Sequence, residues 1–153
     1  MLTIRRAEPE EAACLTEIAF AAKRHWGYPE SWIEVWRADL TITSEFIERH
    51  DVYAAIENDT VAGFYALVTS EGKTELDHLW VLPELIVKGI GRQLIEHALD
   101  QAAKIGAQRI EIVSDPNAEG FYLKAGAKKT GEVISEIEGQ KRKLPRLAID
   151  IHV

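Results

Sequence analysis

The segment Val81-Leu82-Pro83-Glu84-Leu85-Ile86-Val87-Lys88-Gly89-Ile90-Gly91-Arg92 runs from an apolar strand into a helix, and its residue types suit the holding of an anion. The first N–H groups of a helix have no partner within it and point out of its end. Gly89 and Gly91 carry no side chain to keep a bulky anion away from that backbone. The helix dipole stabilises a negative charge there by about 0.3–2 kcal/mol. Lys88 and Arg92 flank the same spot with full positive charges. Two nucleotide patterns do not fit. The loop has no Gly-Lys-Ser/Thr after its first glycine, as a Walker loop requires. Leu94 stands where a dinucleotide fingerprint has its third glycine, and the strands before the loop read as antiparallel. Glu111 lies at that motif's acidic spacing but falls mid-strand. Taken alone, the glycines leave two readings open, an anion cradle or a plain tight connection.

The strand leading into the loop carries candidates for acid–base work. By alternation Glu75, Asp77, Leu79 and Val81 share one face, while His78 and Trp80 share the other. Asp77 and Glu75 can each accept a proton, and each also reads as a surface charge near a strand end. His78 has the ordinary pKa nearest neutrality but sits on the opposite face.

The elements that must position these groups follow from periodicity. Thr3 to Arg6 reads as a first strand, and Ala12, Leu15, Ile18, Ala19 and Ala22 recur at helical spacing between Pro9 and Arg24. A second helix follows Tyr28-Pro29, with Trp32, Ile33 and Trp36 on one side. Val52 to Glu57 and Val61 to Thr69 form a hairpin around Asn58-Asp59, and Thr74 to Leu82 a further strand after Ser70-Glu71-Gly72-Lys73. Ile90, Leu94, Ile95, Ala98, Leu99 and Ala102 make the buried face of a strong helix that Gly106 stops. Gln108 to Ser114 is a strand, Pro116 to Lys124 a short helix, and Ala127 to Ile137 and Leu144 to His152 two closing strands. The order predicts a mixed α/β layer with helices packed on a central sheet.

Composition narrows the function classes. The chain has 153 residues, 46% of them apolar, enough for one domain with a real core. The net charge of −7 speaks against nucleic acid, whose binders carry basic stripes. Lys141-Arg142-Lys143 is the nearest basic run and reads as a solvated edge or turn. No apolar run approaches the ~20 residues of a membrane span. The N-terminal residues lack the apolar stretch of a secretory leader, and Cys14 is the sole cysteine, so a cytoplasmic location is expected. Cys14 reads as a buried, inert thiol.

Val81-x-Pro83, Gly89-x-Gly91-Arg92 and Asp115-Pro116-Asn117-Ala118-x-x-Phe121-Tyr122-x-x-x-Gly126 together resemble the GNAT superfamily of acetyl-coenzyme A-dependent N-acyltransferases. The likeness is continuous from about Leu76 to Gly126, and the order of elements outside it agrees. The resemblance implies a single domain over 1–153, with a mostly antiparallel twisted sheet of about seven strands and about four flanking helices. It implies acetyl-CoA as acyl donor, no metal, and a primary amine of a small molecule or peptide as acceptor, attacking directly in a ternary complex. Leu79, Trp80 and Val81 would pair with the pantetheine arm, and the amides of Val87, Lys88, Gly89, Ile90, Gly91 and Arg92 would hold the pyrophosphate. Tyr122 would face the thioester sulfur. Asn117 would contact the arm, although many members place that asparagine where this chain has Asp115. Ile86 replaces the usual Gln or Arg at the start of the loop.

Asp77 lies where many members carry a catalytic carboxylate; Glu75 is the second candidate, and the base stays open between them. His25, Trp26, Tyr28, Trp32 and Trp36 form either an aromatic acceptor wall or ordinary core packing. The closing strands leave edges along which a homodimer could form. A second reading keeps the fold and coenzyme A but not the transfer, as a sensing module.

Overall fold

Three pairs of turn residues shape the hairpins. Asn58-Asp59, Glu71-Gly72 and Glu138-Gly139 all have positive φ, the backbone of tight turns whose twist matches paired strands. The structure is a computed structural model and describes residues 2–151. The chain runs β1 (Leu2–Arg6), α1 (Ala12–His25), α2 (Glu30–Val35), α3 (Arg37–Leu40), α4 (Ser44–Arg49), β2 (Asp51–Glu57), β3 (Thr60–Ser70) and β4 (Lys73–Val81). It continues through α5 (Ile90–Lys104), β5 (Arg109–Val113), α6 (Glu119–Lys124), β6 (Lys128–Ile137) and β7 (Gln140–Asp150). Short 3₁₀ turns at Pro9–Glu11, Pro83–Lys88 and Pro116–Ala118 lead into α1, α5 and α6.

The seven strands form one sheet in the order β1-β2-β3-β4-β5-β7-β6. Every neighbouring pair is antiparallel except β4 with β5. β3 is buried on both faces, and its side chains alternate between two cores. Tyr65 and Leu67 pack with Leu94, Ile95 and Ala98 of α5, while Phe64 and Ala66 pack with Leu15, Ile18 and Ala19 of α1. This is the sheet-and-helix arrangement expected from the sequence, with two more helical segments than expected, α3 and α4. The last strand starts at Gln140, four residues before the expected Leu144. Lys141-Arg142-Lys143 is therefore strand rather than turn, and the expected end at His152 lies outside the described residues. No helix among the described residues is long and apolar enough to cross a membrane.

A bulge in β4 overturns one reading of strand faces. Ala66 pairs with His78, but the next β3 residue, Leu67, pairs with Leu76, so Asp77 is an extra residue. An extra residue flips the alternation beyond it. Leu76 accordingly packs in the α5-side core with Leu79 and Val81. Glu75 then falls on the opposite face from Leu79 and Val81, contrary to the uninterrupted count.

β4 and β5 share a single paired position, Glu75 with Glu111. Beyond it the strands separate, and β4 keeps β3 as its neighbour on one side only. At the far end of β4, Gly63 faces Val81. A Cβ there would lie 2.6 Å from the Trp80 carbonyl oxygen and 3.3 Å from Leu94 Cδ1. Gly63→Ala should therefore destabilise the protein by about 1–3 kcal/mol through overpacking. Urea unfolding checks this, and an unchanged midpoint would refute the close approach.

Candidate active site

The gap between β4 and β5 is a cleft of about 500 Å³. Leu76 to Val81 form one wall, and the end of β5 with Ser114 to Ala118 the other. Its rim takes in Ala22, His25 and Trp26 on the α1 side and the start of α5 with Phe121 and Tyr122 on the other. The cleft thus passes between the strands from one helical layer towards the other.

The two loop glycines serve different ends. Gly89 caps α5 with φ of +74°, a left-handed backbone, and a Cβ there would meet open space. At Gly91 a Cβ would lie 3.2 Å from Phe121 Cε1, so this glycine lets α6 lie against the first turn of α5. Both glycines and Arg92 line the cleft, as does the exposed Ile86. Arg92 is 82% exposed and engages Glu96 at 3.1 Å. Lys88 is exposed beside the cleft, and the Ile90 side chain is buried in the core, which leaves its backbone N–H for any ligand. Val87 lies in the 3₁₀ turn before the cap. An anion at this end would meet free helix N–H groups and two exposed cations, a chemistry that suits a pyrophosphate.

Tyr122 is buried at the cleft wall. Burial, reinforced by the Asp115 charge, pushes its phenol well above the ordinary tyrosine range. It keeps its proton near neutral pH.

The candidate bases separate. Asp77, at the bulge, lines the cleft and its side chain is 46% exposed. Glu75 lies instead with Glu111 and Arg146 around a smaller cavity of about 150 Å³, which Asp77 also reaches. His78 lines the cleft, but the Trp80 indole N–H donates to its Nδ1 at 2.9 Å. An indole can only donate, so the His78 proton is on Nε2 and no lone pair is free. Burial holds the His78 pKa below its ordinary value, with Asp77 opposing. His78 is a neutral donor here rather than a base.

A part-buried polar network, which no local sequence pattern signals, adjoins the cleft. The Asp115 carboxylate accepts from Lys23 Nζ at 2.7 Å, from the Tyr28 hydroxyl at 2.9 Å and from the Asn117 backbone N–H at 2.8 Å. Arg142 Nη2 and Asn117 Nδ2 both donate to the Tyr28 oxygen, at 2.8 and 3.0 Å. Lys23 Nζ sits 4.2 Å from the centre of the Trp36 ring, and the Arg142 guanidinium 5.1 Å from those of Tyr28 and Trp36. The solvated-edge reading of Lys141-Arg142-Lys143 therefore fails for Arg142, which turns inward and is 13% exposed. The aromatic group of Tyr28, Trp32 and Trp36 is filled by the chain's own cations, so it is packing rather than an open acceptor wall. At this end the cleft offers His25 and Trp26 instead.

Burial alone would raise the Asp115 carboxyl, but Lys23, the Asn117 N–H and Tyr28 outweigh it and hold it below the ordinary value. Lys23 itself is pulled below its ordinary value, because burial, with the Arg142 charge, outweighs the Asp115 and Asp39 carboxylates. Cys14 is exposed, not buried as expected, and its thiol is pushed up by partial desolvation and by Glu11 and Glu17. It remains a poor nucleophile for that reason.

Residues 14–127 match the acetyltransferase (GNAT) family. The chain belongs to that family. It is 32% identical over 149 residues to the peptidyl-lysine N-acetyltransferase YjaB of Salmonella typhimurium, with 96% of each chain covered. A 72-residue stretch is 39% identical to the uncharacterized N-acetyltransferase YvbK of Bacillus subtilis, and there the match spans 46% of each chain. Among solved structures, the PaiA N-acetyltransferase of Thermoplasma acidophilum in complex with coenzyme A is 26% identical with a TM-score of 0.78, over 98% of this chain and 99% of that one. The chain is thus a GNAT acyltransferase.

The Asp115 network gives a pH prediction. A carboxylate with a depressed folded pKa contributes stability above its unfolded value, near 3.8, and loses it as pH falls through the folded value. Asp115→Asn should cost about 3–5 kcal/mol near pH 7, as loss of one partner in a buried pair does. The gap to the wild type should close as pH drops below about 4. Urea titrations across that range check it; a gap independent of pH would exclude the charge as its source.

Proposed function

We propose that this chain acts as one domain over 1–153 and moves the acetyl group of acetyl-CoA to a primary amine, which attacks the thioester while both substrates are bound. The observation that carries this reading is the single paired position between β4 and β5. It leaves the backbone of Leu79, Trp80 and Val81 without a strand partner on the cleft side, and the same cleft ends at the α5 N-terminus. An extended amide-bearing arm can pair with such a free edge. The amides of Val87 to Arg92 would take the pyrophosphate at the other end.

Acetyl-CoA supplies an activated carbonyl and a thiolate leaving group. Backbone N–H groups of the free β4 edge would stabilise the developing oxyanion. Tyr122 would donate a hydrogen bond to the departing sulfur. An alkyl ammonium with a pKa of ~10.4 offers about one free amine in 2,500 near pH 7, a cost of roughly 4–5 kcal/mol. Asp77, partly exposed in the cleft, is the residue placed to receive that proton directly or through water; Glu75, at the smaller cavity, is the less direct route. The relative named for peptidyl-lysine makes a lysine side chain in a peptide the first acceptor to try, and the −7 net charge would attract such a cation.

Acetyl-CoA at ~100 times its dissociation constant should stabilise the protein by ~2.7 kcal/mol, a melting shift of roughly 5–10 °C. Mass spectrometry of a lysine peptide should register acetylation. No shift at millimolar acetyl-CoA would refute the donor. Tyr122→Phe should lower kcat roughly 10- to 150-fold, the loss of one hydrogen bond to a charged atom, with little change in the KM for acetyl-CoA. Full turnover in that variant would remove Tyr122 from the mechanism.

A further inference from the structure

The hydrogen bonds at Tyr28 have a directional consequence for Asn117. A hydroxyl offers one proton and two lone pairs. The Tyr28 proton goes to Asp115, and its lone pairs receive Arg142 Nη2 and Asn117 Nδ2. The oxygen is saturated. Were the Asn117 amide turned over, its Oδ1 would face the Tyr28 oxygen at about 3.0 Å with no proton between them. The network therefore sets one orientation of the amide, with Nδ2 spent on Tyr28. Oδ1 is left to accept from a ligand in the cleft that Asn117 lines.

We propose that Tyr28 is a positioning residue that, held by Arg142 and the Lys23–Asp115 pair, presents Asn117 Oδ1 as an acceptor for an amide N–H of the pantetheine arm. This rests on the reading of acetyl-CoA as donor. The parts come from four separate places: Lys23 from α1, Tyr28 from the α1–α2 connection, Asp115 and Asn117 from the β5–α6 connection, and Arg142 from β7. The tip of the β6–β7 hairpin is anchored nearby, where Ser31 Oγ donates to Glu138 Oε1 at 2.6 Å. Arg142 is the piece that fills the second lone pair. Without it the Tyr28 oxygen could accept from water, and Asn117 would lose its fixed partner.

The arm-specific role separates positioning from mere support. Isothermal titration of Tyr28→Phe should show acetyl-CoA and S-acetyl-pantetheine binding about tenfold more weakly, with 3′,5′-ADP unchanged, since ADP lacks the amides. Asn117→Ala should show the same pattern, and the double variant should lose no more than either single one. Equal weakening of 3′,5′-ADP, unchanged acetyl-CoA binding or additive losses would each overturn the proposal. If Tyr28→Phe does not fold, Arg142→Lys carries the same test, because it keeps a cation against the rings but removes the planar donor. Wild-type protein that fails to bind acetyl-CoA would remove the donor reading as well, whereas normal wild-type binding with an unaffected variant removes only this inference.

Discussion

The rest of the site depends on one unpaired residue in a strand. Asp77 has no partner in β3, so β4 bends there, and the faces beyond it exchange. The same place is where β4 parts from β5 after a single paired position. A regular strand would have continued the ladder, satisfied every N–H and C=O of β4, and left no cleft. Instead the backbone from His78 to Val81 is held firmly by β3 and left open on its other edge. Rigidity comes from one neighbour and the open edge from the absence of the other. Gly63 shows how tight the retained side is, since nothing larger than hydrogen fits against the Trp80 carbonyl.

The second constraint is the desolvation of charge beside that cleft. Lys23, Asp115 and Arg142 are each nearly out of water. Isolated, any of them would be costly to bury. Together they hold two cations and one carboxylate, and the rings of Tyr28, Trp32 and Trp36 take part of the excess positive charge through their faces. Asp115 also caps the turn that begins α6. The Tyr122 phenol in α6 meets the Asp115 field, which is one reason it stays protonated. Aromatic residues that the sequence leaves open between an acceptor wall and core packing thus support the polar wall of the site.

Much of this fold could be read from the sequence where a period ran long enough. α5, with Ile90, Leu94, Ile95, Ala98 and Ala102 buried, matched its pattern, and the strands matched within a few residues. α3 and α4 escaped because four and six residues hold too few turns for a period, each burying a single side chain, Leu40 or Ile47. The bulge escaped because counting alternate residues presumes an unbroken ladder, and this misplaced Glu75. The start of β7 was missed because Glu138-Gly139 was not read as a hairpin turn. Without that turn, Arg142 reads as a surface charge. No local signal reveals that its partner rings lie more than a hundred residues earlier. Cys14 lies just off the stripe of Leu15, Ile18, Ala19 and Ala22, near enough to be counted as buried.

The Tyr28 network also bears on when the site can come into being. Its bonds join residues 87 to 114 positions apart, so their loop-closure entropy is met only late in folding. β7 supplies Arg142 and inserts between β5 and β6, both made before it. A chain emerging from the ribosome can shape α5 and the β2–β4 meander early, yet the polar wall of the cleft must await its last strand. A nascent chain would therefore hold the α5 N-terminus before it held an ordered Asn117. Whatever entered the cleft before then would meet one finished end and one unfinished one.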